Sequence, residues 1–227
     1  MKLVYALFFL TIIGFSANAQ ETTKKQTEQL ADFTLGSSSA QTTIGVAYYK
    51  NWNLGKKQHF FIGTGLRFSS AMGKNKTFTS APASLASNDT SIDSLLGANT
   101  SIYALNAIIN LGYHISSKLD LGFNIDLIGF SFGPSSNHLF RSNGLQTLTT
   151  AKPTGMNILL VGNNDRGTLN SEFYLRYKIN NKLGIKLMVQ HFFTELTTNN
   201  KVQTLPVQND RFRNITDLFG FGLAYHF

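Results

Sequence analysis

The chain has 227 residues, with 20 Lys and Arg against 12 Asp and Glu, a formal net charge of +8, and no cysteine. The missing thiols exclude a disulfide scaffold and any thiolate chemistry, and no Pro-rich or Gly/Ser-rich linker splits the length into two domains. The basic excess is spread over turns, loops and inward strand positions, which argues against nucleic acid as a partner.

Met1 and Lys2 make a short cationic start, residues 3–15 are apolar, and Ser16-Ala17-Asn18-Ala19 closes the run in an A-x-A arrangement. This predicts a cleaved secretory signal peptide over 1–19. Gln20, not a cysteine, follows the cleavage point, so no lipid anchor is expected there. A helix needs about 20 apolar residues to cross a bilayer, and no segment reaches that length uninterrupted, so any membrane residence must come from strands. A polar leader is expected over 20–29, and a barrel domain over 30–227.

The strands are read from alternation, because successive side chains of a strand project to opposite faces. The first, 30–36, sends Ala31, Phe33 and Leu35 one way and Asp32 and Thr34 the other. The second, 41–54, places Ile44, Val46, Tyr48, Trp52 and Leu54 outward, and the tight turn 55–57 follows. The third, 58–72, sets Phe60, Ile62, Leu66 and Phe68 against Gly63, Gly65, Arg67 and Ser69. A long polar loop is expected over 73–98.

The fourth strand, 99–115, alternates Tyr103, Leu105, Ile109, Leu111 and Tyr113 with Asn106, Asn110 and His114, then turns at 116–118. The fifth, 119–132, sets Leu121, Phe123, Ile125 and Leu127 against Asp120, Asn124 and Asp126, and its phase slips at Ile128-Gly129-Phe130, where a glycine bulge is expected. The longest loop is expected over 133–166. The sixth strand, 167–180, faces Phe173, Leu175 and Tyr177 outward with Glu172, Arg176 and Lys178 inward; the seventh, 183–196, faces Leu183, Ile185, Leu187, Val189 and Phe193 outward with Lys186, Met188 and Gln190 inward. A loop of about fifteen residues leads to the eighth strand, 212–227, whose face Ile215, Asp217, Phe219, Phe221, Leu223, Tyr225, Phe227 opposes Thr216, Gly220, Gly222, Ala224 and His226.

Turns after the second, fourth and sixth strands are short, and the connections after the third, fifth and seventh are long. Apolar faces turned outward and polar faces inward, with that parity, predict an all-β fold: an eight-stranded antiparallel up-and-down transmembrane β-barrel with short periplasmic turns and long extracellular loops. A soluble lipocalin-like barrel would need the opposite polarity. Eight strands leave an interior that side chains can fill, so no wide pore is expected.

The eight alternating strands, the leader ending Ala17-Asn18-Ala19 and the terminal run Phe219-Gly220-Phe221-Gly222-Leu223-Ala224-Tyr225-His226-Phe227 resemble the small outer-membrane β-barrel family of the OmpA and OmpX type, and the related PorT-like barrels. The resemblance implies a Gram-negative cell outer membrane, porin-like architecture, contact with outer-membrane lipids, and insertion by the barrel-assembly machinery. By the same resemblance, Phe219, Phe221, Leu223, Tyr225 and Phe227 would form the carboxy-terminal assembly signal. No peptidoglycan-binding domain is expected.

Inward charges form the main constellation: Arg67, Asp120, Asp126, Glu172, Arg176, Lys178 and Lys186. In a narrow lumen such groups have to pair, since an isolated buried charge is very costly, and a salt-bridged plug is expected. Tyr48, Trp52, Tyr103, Tyr113, Tyr177 and Tyr225 are expected in interfacial girdles, with Lys50 snorkelling. The five histidines show no metal-ligand spacing, and no cofactor is expected. His191 is expected to face outward near the outer end of its strand, but no serine stands two residues after it, no Ser, His and acid triad can be assembled, and no enzymatic activity is expected. The expected role is therefore structural, or interaction and adhesion through loops 73–98, 133–166 and 197–210 with an extracellular or envelope protein. The alternatives are a narrow solute- or lipid-handling barrel, or a lipid-modifying enzyme.

Overall fold

A computed structural model describes residues 26–160 and 164–227, so the expected signal peptide lies outside the described residues. They form eleven strands: β1 (Thr27–Ser37), β2 (Gln41–Leu54), β3 (Phe60–Ser80), β4 (Ser94–His114), β5 (Leu119–Phe132), β6 (Ser136–Ser142), β7 (Leu145–Pro153), β8 (Met156–Ile158), β9 (Leu169–Lys178), β10 (Leu183–Thr198) and β11 (Arg211–His226). An α-helical turn, α1 (Ala83–Ala86), and a 3-10 turn, Asp89–Ser91, sit between β3 and β4. Among the described residues no helix is long and apolar enough to cross a membrane.

Eight of the strands close a ring in the order β1-β2-β3-β4-β5-β9-β10-β11. The seam is β11 on β1, from Leu30 opposite His226 to Ser37 opposite Phe219. Period-two alternation then sorts the side chains: Val46, Leu66, Phe173, Leu187, Phe219 and Phe221 are exposed, while Asp32, Arg67, Asn106, Asp120, Glu172 and Lys186 are buried inside. Closure leaves no free strand edge in hydrocarbon, which a sheet needs if its backbone groups are to be satisfied there. The protein is an eight-stranded antiparallel transmembrane β-barrel. Its three short turns, 55–59, 115–118 and 179–182, lie at the end where β1 starts and β11 finishes.

At the opposite end the structure departs from the sequence reading, because much of the expected loop 73–98 and of 133–166 is strand. β3 runs on to Ser80 and β4 begins at Ser94, paired as Phe78 with Leu95 and Thr79 with Ser94. The β1–β2 hairpin stops short, and β11 swings across to pair Phe212 with Ser80 and Arg213 with Thr79. β4 leaves β5 and takes up β6, while β10 leaves β9 and takes up β7. With the β6–β7 hairpin this closes a second ring, β3-β4-β6-β7-β10-β11.

This upper ring reverses the polarity of the lower one. Each of its six strands sends an apolar side chain inward: Phe78, Leu95, Phe140, Ala151, Leu196 and Phe212, all buried in one cluster. The rings of Phe140 and Phe212 meet edge-on at 5.8 Å. The reversal in β3 occurs at Asn75, whose φ of 49° is left-handed, a conformation asparagine tolerates better than most residues. There the strand slips phase, so that Gly73 and then Lys76 and Phe78 point inward. That slip breaks the alternation on which the sequence reading relied.

Two further differences are local. β1 starts at Thr27, inside what the sequence suggested was a leader, because Thr27 to Gln29 pair with Trp52 to Lys50. In β5 the extra residue is Leu127, not Gly129: Ala107 faces Ile128 and Ile108 faces Asp126. Gly129 is required for space, since a Cβ there would lie 2.1 Å from the Leu105 carbonyl oxygen.

Candidate functional site

The lower lumen is built from inward positions of all eight ring strands, and its charges fall into two groups. In the middle, Arg67 on β3 reaches Asp126 on β5 at 2.6 Å and Glu172 on β9 at 3.1 Å. It also donates to Asn124 Oδ1 and to the Asn170 carbonyl oxygen. Lys186 on β10 bridges Glu172 and Asp32, each at 2.8 Å. Its ammonium lies 4.6 Å from the centre of the Tyr174 ring.

Nearer the short-turn end, Arg176 pairs with Asp120 at 3.0 Å, and His114 Nδ1 lies 2.6 Å from the other oxygen of that carboxylate. Lys178 and His226 share Glu28 at 2.8 and 3.0 Å. Arg67, Asp126, Glu172 and Lys186 therefore belong to one cluster, and Asp120, Arg176 and Lys178 to another. Carboxamides connect the chain of contacts: Asn106 donates to Asp126, Asn157 donates to Asn106, and Tyr174 donates to Asn110.

Two acids in these clusters were absent from the sequence-derived set. Asp32 was visible as an inward residue of the first strand, and its pairing across to Lys186 was the missing information. Glu28 lay in the segment read as leader; its position one turn of alternation below Leu30 was the available signal.

On the outer surface the aromatic residues sit near both rims. Tyr48, Trp52, Tyr113, Tyr177 and Tyr225 are exposed toward the short-turn end, and Tyr103 lies toward the other end against Phe132 at 5.6 Å. Lys50 lies 5.7 Å from the Trp52 ring. Phe219, Phe221, Leu223, Tyr225 and Phe227 are all exposed along β11 and its end, with Tyr225 edge-on to Phe227 at 5.1 Å. Among the described residues no group of His, Cys, Asp and Glu could hold a metal ion.

Where the two rings meet, beyond the exposed apolar stretch of β3 that ends at Met72, Lys76 points inward. It donates to Gln41 Oε1 and Thr216 Oγ1, and among the described residues no carboxylate pairs with it. Burial lowers its ammonium from 10.5 to about 8. Between those values the unfolded chain binds more protons than the folded one, so this group makes stability rise as pH climbs from about 8 to about 10.5. Lys76→Met is expected to remove that slope and to raise the urea midpoint at neutral pH, measured on detergent-refolded protein across the same pH range.

No family model and no curated protein matches the chain. Solved structures do align with it along most of its length. Neisserial surface protein A matches at 9% identity over 88% of this chain and 96% of that one, with a TM-score of 0.38. Ail, the attachment invasion locus protein of Yersinia pestis, matches at 8% identity over 90% of this chain and 100% of that one, with a TM-score of 0.39. The N-terminal β-barrel domain of Pseudomonas aeruginosa OprF matches at 11% identity over 89% of this chain and 98% of that one, with a TM-score of 0.35. These neighbours are bacterial outer-membrane β-barrels, and the likeness concerns the fold alone.

Proposed function

We propose that this chain is an integral outer-membrane β-barrel whose lumen is plugged by its own ion pairs and whose upper ring and loops engage an extracellular or envelope protein. The observation that carries the reading is the reversal of polarity between the two rings. The lower ring is apolar outside and polar inside, as acyl chains demand; the upper ring closes around an apolar cluster, as water demands. The boundary between solvents therefore falls at the level of Asn75 and the β1–β2 loop.

An interaction role is favoured by what the upper ring exposes. Leu96 on β4, Leu139 on β6 and Leu148 on β7 stand in one cross-strand row on its outer face. Leu145, Leu148 and Leu205 are 74%, 70% and 75% exposed. Apolar side chains held out into water on a rigid sheet are a common mark of a protein-binding surface. The lower lumen is plugged because Arg67, Arg176 and Lys186 are buried against carboxylates and cannot serve as a hydrated path. Planar-bilayer recordings on the purified, refolded full chain are expected to show no steady unitary current; a steady single-channel conductance would overturn the plugged reading.

A further inference from the structure

The strand register assembles a row that no spacing along the chain reveals. Ser171 on β9 stands opposite His191 on β10, and His191 stands opposite Asp217 on β11. All three share the outward parity of Phe173, Val189 and Phe219, so the row faces away from the lumen. His191 Nδ1 lies 2.6 Å from Asp217 Oδ1, and the Phe193 ring packs edge-on against the imidazole at 5.2 Å.

This pair is unlike the other ion pairs among the described residues, whose acids are mostly buried in the lumen or under the upper ring. Here the side chains of His191 and Asp217 are 49% and 75% exposed. They are surrounded by Val189, Ile215 and Phe219, which belong to the apolar outer face. A charge on the lipid face costs about 2–4 kcal/mol at the midplane and falls to about 0–1 near an interface. The row lies at the level just beyond Ser37, where β1 ends, and so at the upper edge of the apolar band.

We propose that Ser171, His191 and Asp217 form an esterase site for ester-linked fatty acyl chains of membrane lipids, open to the outer leaflet; the proposal rests on the membrane placement above. Directly opposed residues on antiparallel strands have Cβ atoms about 4.5–5.5 Å apart, which puts a serine hydroxyl within reach of an imidazole. With Nδ1–H donated to Asp217, the Nε2 lone pair is free to accept from the Ser171 hydroxyl once that side chain turns toward the imidazole. The acyl chain of the substrate lies along the same apolar face that flanks the row, which brings its ester to the interface where the row sits.

The Ser171 Oγ attacks the ester carbonyl carbon while His191 Nε2 takes its proton. The C–O bond to the alcohol breaks, and the leaving oxygen receives that proton, leaving Ser171 acylated. Water then attacks the acyl carbonyl carbon as His191 takes its proton, the bond from that carbon to Ser171 Oγ breaks, and His191 returns the proton to Oγ. One ester and one water become one carboxylic acid and one alcohol. Ser171 and His191 are catalytic residues, and Asp217 is a positioning residue that holds the imidazole tautomer.

The test uses the full chain refolded in detergent micelles, with folding checked by heat-modifiable migration. Three probes are supplied: p-nitrophenyl palmitate, phospholipid vesicles, and lipid A in mixed micelles, the last two read by mass spectrometry of released fatty acid. Release is expected in at least one lipid arm, and the arm that responds identifies the source of the ester. A fluorophosphonate probe is expected to label Ser171. Ser171→Ala and His191→Ala are expected to lower turnover at least ~100-fold with the barrel still folded. Asp217→Asn is expected to lower kcat with KM unchanged, and Asp217→Glu to restore part of it. Folded protein that neither releases fatty acid from any probe nor reacts with fluorophosphonate would overturn the proposal, as would a Ser171→Ala variant as active as the parent. A chain that fails to insert into micelles at all would instead overturn the membrane reading.

Discussion

Lys186→Met is expected to destabilise the folded barrel by about 3–5 kcal/mol, the range for stranding a buried charge by removing its partner. Lys186 is 1% exposed and holds Asp32 and Glu172 at 2.8 Å each. Methionine keeps most of the length and volume of the stem, so the substitution removes the charge while leaving the packing nearly intact. Glu172 retains Arg67 at 3.1 Å, but Lys186 is the only ion-pair partner of Asp32 among the described residues. The double variant Lys186→Met with Asp32→Asn is expected to recover part of the loss, because both charges then leave together. Urea unfolding in lipid vesicles reads both; a single variant as stable as the parent would show that these contacts do not hold the lumen closed.

Leu187→Arg is expected to cost about 2–4 kcal/mol in a bilayer, whereas Leu148→Arg is expected to stay within about 0.5 kcal/mol of the parent. The two leucines are similarly exposed, at 64% and 70%, so accessibility alone predicts equal effects. What separates them is the solvent. Leu187 stands between Leu175 and Phe221 in the middle of the lower ring, and Leu148 stands beside Leu139 on the upper one. Equal costs in the two variants, measured by unfolding in vesicles, would contradict the boundary drawn at Asn75.

Much of the lower barrel was legible because strand alternation is a local property. Phe219, Phe221 and Leu223 declare their face by spacing alone, and so do Arg67, Glu172 and Lys186 on theirs. Short turns such as 55–57 and 116–118 then set the parity of the strands. The upper ring was not legible, since Asn75 breaks the phase of β3 and the polar, loop-like composition of 73–98 and 133–166 conceals strands whose inward apolar residues are as sparse as one per strand. Glu28 was hidden for a related reason: three residues of extra pairing at the start of β1 depend on what β2 offers opposite them.

By itself the sequence determined which side chains of the lower ring face lipid and which face the axis, and therefore that the chain closes into a barrel with paired charges inside. Only the tertiary structure decided which strands leave the lower ring to close the upper one, that Asp32 meets Lys186, and that Ser171, His191 and Asp217 share a row. The reason is that the face of a residue is set by its immediate neighbours along the chain. Its partner across the sheet is set by register between strands many residues apart, and a shift of one residue replaces every such partner.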